Sequence, residues 1–144
     1  KIANYPFTTI NPNLGVVYHN NREITLADIP GLIEGAHEGI GLGDKFLRHI
    51  ERCKNLLHLI DITNEKILDD YFKVRNELSK YSKKLVKKSE IIVLNKIDMV
   101  SEQEIAEKIN VFKKKLKRNV HTISVVQNKG IKNIKKILIN HVFK

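Results

Sequence analysis

Only one cysteine, Cys53, occurs in the 144 residues, so the chain cannot form an internal disulfide. It has no tryptophan, one methionine and three prolines, and no apolar run approaches the ~20 residues that a membrane-spanning helix needs. These absences exclude a disulfide-stapled scaffold and a multi-span membrane protein. They favour a reducing compartment, and a cytoplasmic location is therefore expected.

Positive charge is concentrated in the second half of the chain. Residues 1–72 carry 7 basic and 10 acidic residues, whereas residues 73–144 carry 19 basic and 6 acidic ones. A strongly basic region is typical of proteins that bind a polyanion, and RNA is the expected partner. The alternative is that these lysines only cover solvated helix faces.

Apolar patterning predicts an α/β fold that opens with a hairpin. The runs LGVVYH (14–19) and EITLAD (23–28) flank Asn20-Asn21, which tolerate positive φ, so the two strands are expected to be antiparallel. Further strands are predicted at three apolar runs: LLHLIDI (56–62), EIIVLN (90–95) and HTISVV (121–126). Helical spacing is found over residues 44–53, 65–85, 101–116 and 133–143. Strands that alternate with helices predict a parallel sheet.

Glycine is scarce except in one segment. Five of the seven glycines lie between Gly31 and Gly43, and Lys45 follows closely. A glycine-rich loop before a lysine can cradle phosphate, as in GxxxxGK[ST]. Here Asp44 separates the last glycine from Lys45, and no Ser or Thr follows. The segment therefore fits a backbone that changes conformation better than it fits a phosphate cradle.

Two short motifs follow predicted strands, where ligands bind in open α/β sheets. In NKID (95–98), a carboxylate can accept hydrogen bonds from two adjacent N–H groups of a base, which guanine offers and adenine does not. In DIPG (28–31), a carboxylate that can hold Mg²⁺ precedes a glycine whose N–H can approach a terminal phosphate. Either motif alone also occurs by chance in surface loops. The two in this order, each at a strand end, indicate guanine nucleotide binding.

With these motifs the sequence resembles the Obg group of GTPases, within the Ras-like P-loop class. Four segments carry the resemblance, in the family's order: YPFTTINPNLGVV, ADIPGLIEGAHEGIGLGDKFLRHIERC, NKID and ISVVQNKGI. It implies a Ras-like P-loop NTPase fold, α/β, with a mostly parallel sheet and one antiparallel hairpin strand. It also implies GTP and GDP as ligands, Mg²⁺ as cofactor and slow GTP hydrolysis. The implied protein is a monomeric molecular switch in large ribosomal subunit assembly, with the subunit or its rRNA as partner.

The resemblance also assigns residues to the phosphate and metal side of the site. Thr9, with Thr8 as the alternative, corresponds to the switch-one threonine that meets Mg²⁺ and the γ-phosphate. Asp28 corresponds to the Mg²⁺-side residue of switch two and Gly31 to its γ-phosphate-side residue. Thr9 and Gly31 are thus the expected catalytic residues, and Thr9 and Asp28 the metal site. Leu32 stands where Ras-like proteins have a water-orienting Gln, so hydrolysis is expected to depend on another group or a partner.

On the base side, the resemblance assigns five residues to two loops. Asn95, Lys96 and Asp98 correspond to the guanine readers. Ser124 and Val125 correspond to the loop whose backbone N–H meets the guanine O6. Val125 stands where the family usually has alanine, a change that a backbone contact tolerates.

The family's GxxxxGK[ST] motif is absent from this sequence, and so are the first strand and first helix that flank it. Residues 1–144 are therefore expected to be a partial GTPase domain, from switch one to the C-terminal helix. In the family's strand order the missing strand lies between EITLAD and LLHLIDI, whose inner edges are expected to be unpaired. The 144 residues alone are expected to be poorly stable and to bind GTP weakly. The alternative is a non-enzymatic relic, either a pseudo-GTPase or a basic RNA-binding fragment.

Overall fold

The computed structural model describes residues 14–29 and 43–144 of the chain. Nine helices and strands follow one another in these residues: β1 (Leu14–His19), β2 (Arg22–Ala27), α1 (Gly43–Ile50), β3 (Asn55–Asp61), α2 (Ile67–Tyr81), β4 (Ser89–Asn95), α3 (Glu102–Leu116), β5 (Val120–Thr122) and α4 (Ile131–Val142). Short 3-10 turns lie after α2, at Leu85–Lys87, and after β4, at Ile97–Met99. Among the described residues, no helix is long and apolar enough to cross a membrane.

The opening hairpin is confirmed. Strands β1 and β2 pair antiparallel, from Leu14 opposite Ala27 to His19 opposite Arg22. Asn20 and Asn21 have φ angles of 49° and 62°. Positive φ at both central residues is what a two-residue turn needs to match the right-handed twist of the strands.

The parallel sheet is also confirmed, in the order β3-β4-β5. Its last strand is shorter than the predicted 121–126. Ser124 leaves the ladder with β4 and exchanges two backbone hydrogen bonds of 3.0 Å with Lys129, which closes a tight loop. The chain then turns through Gly130 into α4, two residues earlier than the predicted helix start.

Helices cover both faces of this sheet. On β4, Ile91 and Val93 point to α4, and Ile92 and Leu94 point to α2 and α3, as the two-residue period of a strand requires. All four side chains are buried, so β4 is the centre of the core. The hairpin packs on α4 through Ile24, which belongs to the same apolar cluster as Ile91 and Val93.

Within the described residues, the hairpin and the parallel sheet share no hydrogen-bonded strands, since β2 pairs only with β1 and β3 only with β4. A cleft of about 930 Å³ lies between them. Residues 23–29 line one side and residues 52–59 the other, and most of the lining is apolar. As far as the described residues show, the inner edges of β2 and β3 are unpaired, as expected from the sequence.

Candidate functional site

Three loops meet at one edge of the parallel sheet, which we name the carboxyl edge because β3, β4 and β5 all end there. Asp61 and Asn95 are the last residues of β3 and β4 and lie opposite each other in the ladder. The loop after β5 joins them, because the Ile123 amide donates to the Leu94 carbonyl at 2.9 Å. The Ile97 amide in turn donates to the Ile123 carbonyl at 3.3 Å. Backbone bonds therefore bring NKID and the Ser124 loop together.

The Asp98 carboxylate is held by a buried serine. Ser124 is fully buried, and its hydroxyl donates to Asp98 Oδ1 at 2.6 Å. The same hydroxyl accepts from the Gln127 amide at 3.1 Å, which fixes its own direction. A charged acceptor makes the bond to Asp98 stronger than one between neutral groups. One carboxylate oxygen of Asp98 is thus oriented before any ligand binds.

Asn95 connects the loops through its side chain. Its Oδ1 accepts from the Lys96 amide at 2.8 Å and from the Val125 amide at 3.3 Å. Its main-chain carbonyl accepts from the Ile62 amide at 3.0 Å. The sequence predicted a polar contact to the base from this residue. The structure shows that its oxygen orders the surrounding backbone.

Lys96 adopts an unusual backbone conformation and makes an ion pair that the sequence did not predict. It lies in the left-handed region, with φ 71° and ψ 34°, which only a few per cent of non-glycine residues adopt. Its Nζ contacts Asp61 Oδ2 at 2.8 Å, and Asp61 Oδ1 accepts two bonds from Thr63. The bond from Lys96, followed by those from Thr63, lowers the pKa of Asp61 to about 2.

Asp61 is the residue at this edge that the sequence analysis missed. A signal for it exists, because it ends an apolar strand run as Asn95 does. Its ion pair with Lys96 ties the ends of β3 and β4 together through exposed side chains. The ion pair fixes the direction of the Lys96 side chain at this edge.

Gly130 closes the loop from behind. Its φ is +74°, and a Cβ built there would lie 2.5 Å from the Thr122 carbonyl oxygen. No side chain fits this position without moving the backbone of β5. Gly130 therefore fixes the path by which Ser124 reaches Asp98.

The carboxyl edge offers a carboxylate, a backbone N–H and apolar flanks within one small area. Met99, Val125 and Val126 expose 67%, 61% and 85% of their surface there. Exposed apolar side chains around oriented polar groups are typical of a site for a flat polar ring. The Val125 amide makes only a long bond, at 3.3 Å, which a ligand carbonyl can replace.

The remaining predicted residues lie elsewhere or outside the described residues. Asp28 follows β2, is exposed and borders the cleft between the two sheets. Thr8, Thr9 and Gly31 lie outside the residues that the structure describes. Within residues 14–29 and 43–144, no three His, Cys, Asp or Glu side chains gather in a metal-binding group.

A second polar cluster lies at the other end of β4. Glu90 is buried and contacts His58 Nδ1 at 2.9 Å and the Tyr71 hydroxyl at 2.7 Å. Arg75 and Arg118 approach it at 3.4 and 3.5 Å. Burial would raise the pKa of Glu90, but the hydrogen bonds from His58 and Tyr71 and the charge of Arg75 lower it. His58, which no motif of the sequence singles out, is part of this network.

Solved structures share this fold at low sequence identity. The cytosolic domain of the FeoB iron transporter from T. maritima, in its apo form, superposes with a TM-score of 0.66 and 20% identity, covering 100% of this chain and 54% of that one. Era from Aquifex aeolicus, bound to GDP and AlF4⁻, gives a TM-score of 0.59 and 18% identity, covering 91% of this chain and 44% of that one. The fold is that of the Ras-like P-loop GTPases.

Residues 1–96 match the family described as 50S ribosome-binding GTPase, and the chain belongs to that family. It is 57% identical over 142 residues to GTPase Obg of Pelagibacter ubique, covering 99% of this chain and 43% of the relative. It is 54% identical over 144 residues to GTPase Obg of Ehrlichia ruminantium, covering 100% of this chain and 42% of the relative. The chain thus spans less than half the length of these curated relatives. The resemblance to the Obg group is confirmed.

Proposed function

We propose that this chain forms the base-recognition and switch portion of an Obg-type GTPase, which binds GTP and GDP with Mg²⁺ and hydrolyses GTP slowly. The observation that carries the proposal is the Asp98 carboxylate held by the buried Ser124 hydroxyl at 2.6 Å. A carboxylate that is oriented in advance loses little freedom when it binds a ligand. It suits a ring with two adjacent N–H donors, such as guanine.

Base recognition then uses both loops of the carboxyl edge. Asp98 accepts from the ring N1–H and the adjacent exocyclic N2–H of guanine, and the Val125 amide donates to the guanine O6 in place of its long bond to Asn95 Oδ1. The Lys96 stem, held through Asp61, covers one side of the base. Adenine has no adjacent pair of N–H donors for Asp98. With adenine bound, the Asp98 carboxylate is left unpaired, and the cost of this discriminates between the two bases.

The phosphate side of the site is assigned to the switch residues. Asp28 provides the hard oxygen donor that Mg²⁺ prefers, and Thr9 would supply a second oxygen. Mg²⁺, when bound, neutralises negative charge on the phosphate oxygens. The Gly31 amide approaches the γ-phosphate. Thr8 is the alternative to Thr9 as the second oxygen donor. Since Leu32 cannot orient water, hydrolysis by this chain's own residues is slow.

The test is a change of base specificity in the complete protein. Asp98→Asn replaces an acceptor of ring N–H bonds with a donor, so GTP affinity falls and xanthosine triphosphate binds better than it does to the parent. Asp69→Asn, an equally small change at an exposed position on α2, is the matched control and leaves both affinities unchanged. Calorimetric titration of both nucleotides measures the effect. Unchanged GTP affinity in Asp98→Asn contradicts the proposed base reader.

We further propose that one additional strand, supplied from outside these 144 residues, fills the cleft between β2 and β3. The cleft of about 930 Å³ is bordered by unpaired strand edges, and an unpaired edge is a template for another strand. The 144 residues alone therefore bind GTP weakly and unfold without a sharp transition. Tight Mg²⁺-dependent GTP binding by this segment alone, or cooperative thermal unfolding, contradicts this proposal.

In the cell the proposed protein is a cytoplasmic monomer that acts on the large ribosomal subunit during its assembly. The family description and the basic second half of the chain support this partner. Sedimentation of the complete protein with 50S subunits tests it, with more protein bound in the presence of a non-hydrolysable GTP analogue than of GDP. Single-turnover hydrolysis by the complete protein separates this function from a non-enzymatic relic, which binds without turnover.

A further inference from the structure

The strand beginnings and helix ends of the parallel sheet form a second edge, which we name the amino edge. A basic residue immediately precedes β3 (Lys54) and β4 (Lys88), and Lys117 and Arg118 precede β5. The Arg118 guanidinium donates to the Glu90 carbonyl at the start of β4. Lys54 Nζ donates to the Val142 carbonyl at 3.2 Å, which places the end of α4 at the same edge.

The segment after α2 and the end of α3 add more lysines there. Lys83, Lys84 and Lys87 are exposed and lie between the end of α2 and the start of β4. Lys113, Lys114 and Lys115 form the last turn of α3 and are exposed as well. A helix end favours one or two cations through its dipole. The lysines between α2 and β4, and those before the strands, exceed that requirement.

Among the described residues, the acidic side chains near these lysines already have partners within the protein, as Glu77 does in contacting Lys80 at 3.8 Å. Glu90 is buried and already faces Arg75 and Arg118. Glu51 accepts from Ser82 at 2.5 Å. By contrast, the first turns of α2 and α3, at the carboxyl edge, carry Asp69, Asp70, Glu102 and Glu104. Charge is thus separated across the sheet, with the positive end roughly 20 Å, the length of one strand, from the base-recognition site.

The composition of this edge indicates the kind of partner. The cores of protein–protein interfaces are enriched in aromatic residues, methionine and arginine and depleted in lysine. Helices that bind a membrane surface insert large apolar side chains. Most exposed cations of the amino edge are lysines, with Arg52 before β3 as an exposed arginine and Phe143 after α4 as an apolar side chain that is 48% exposed. Lysine provides a compact positive charge that neutralises the phosphates of a nucleic acid backbone without reading the sequence.

We propose that the amino edge binds the sugar–phosphate backbone of RNA. The proposal deepens the proposed function and rests on it for the partner, because it names the surface that contacts the RNA. Nucleotide and RNA then occupy opposite edges of one sheet, so neither blocks the other. Residues at the amino edge contact RNA without sequence preference, through charge alone.

The test compares two triple variants of the complete protein. Lys83, Lys84 and Lys87 are changed to Gln in the first. Lys132, Lys135 and Lys136, equally exposed residues on α4, are changed to Gln in the control. Both remove the same charge. The probe is a double-stranded RNA of about 20 base pairs, and its affinity is measured against salt concentration.

The first triple variant is expected to lose roughly tenfold or more in RNA affinity and about 2 from the log–log salt slope, since each phosphate contact contributes about 0.7 to 0.9. The control keeps both. Equal losses of RNA affinity in the two variants, or no loss in either, overturn the proposal. It is also overturned if the first triple variant binds RNA as the parent does but no longer binds anionic vesicles. GTP affinity is measured in parallel. If the parent protein does not bind GTP, the proposed function is contradicted. If it binds GTP but the salt slope of the first triple variant is unchanged, only the proposal for the amino edge is contradicted.

Discussion

The hydroxyl of Ser124 gives the sharpest prediction about the base-recognition site. Ser124→Ala removes a hydrogen bond of 2.6 Å to the Asp98 carboxylate and leaves the rest of the loop in place. Hydrogen bonds to charged groups contribute about 1.5 to 3 kcal/mol. Since 1.4 kcal/mol corresponds to a factor of ten, binding of guanine nucleotides is expected to weaken about 10- to 100-fold.

The effect has a kinetic signature. The base contact is the same in the bound substrate and in the transition state, because the chemistry occurs at the phosphates. Its loss therefore raises KM and leaves kcat unchanged. GTP and GDP lose the same factor in affinity. Titration calorimetry with both nucleotides and steady-state hydrolysis measure these quantities in the complete protein.

Ser82 provides a matched control at the other end of the sheet. Its buried hydroxyl donates to the Glu51 carboxylate at 2.5 Å and accepts from the Leu85 amide at 3.1 Å, the pattern that Ser124 shows. Ser82→Ala should cost similar stability and leave nucleotide affinity unchanged. Our reasoning is refuted if both alanine variants bind GTP equally well, or if Ser124→Ala lowers kcat and not affinity.

Three further predictions concern the interactions around the site and core. Lys96→Met removes the main cause of the low pKa of Asp61, which should rise from about 2 towards the ordinary aspartate range in an NMR titration; an unmoved pKa contradicts the ion pair. Gly130→Ala should destabilise the protein by about 2 kcal/mol in urea unfolding, because its φ is +74° and Cβ meets the Thr122 carbonyl, whereas unchanged stability contradicts this backbone. Glu90→Gln should cost about 2 kcal/mol at pH 7. Because the folded pKa of Glu90 is lowered, its charge stabilises the fold above the ordinary glutamate pKa. The difference in stability between Glu90→Gln and the parent should therefore vanish as pH falls through the folded pKa. A difference in stability that does not change with pH argues against a role of the charge.

The elements with local signals could be predicted from the sequence. Asn20-Asn21 predicted the hairpin. The apolar runs predicted both ends of β3 and of β4 to within one residue. Helix α3, predicted over residues 101–116, begins at Glu102, where Ser101 caps it and the Glu104 amide donates to Ser101 Oγ at 3.1 Å. The family resemblance assigned NKID and the Ser124 loop to the base, and in the structure the two lie together because parallel strands end at one edge.

Features that depend on distant partners could not be predicted. The helix predicted to Leu85 ends at Tyr81, where Ser82 becomes extended and its hydroxyl bonds Glu51, 31 residues away. The strand predicted to Val126 ends at Thr122, because the backbone of Ser124 pairs across a tight turn. Side-chain contacts between separate segments leave no periodic trace in a single sequence. The switch residues Thr8, Thr9 and Gly31 lie outside the described residues, and their roles stay predictions.

The separation of the hairpin from the parallel sheet affects how the protein opens locally. Strands β1 and β2 are held on the rest of the molecule by side chains, chiefly Ile24 on α4, with Leu14 and Ile29 against the Phe46 cluster. Apolar contacts are not directional, so the hairpin can tilt or detach as a unit while every ladder bond of β3, β4 and β5 stays intact. Asp28 ends this hairpin and would move with it. Within the described residues, the residue proposed to sense the phosphates thus belongs to a unit held by apolar contacts, until the strand proposed between β2 and β3 joins it to the sheet that carries Asp98.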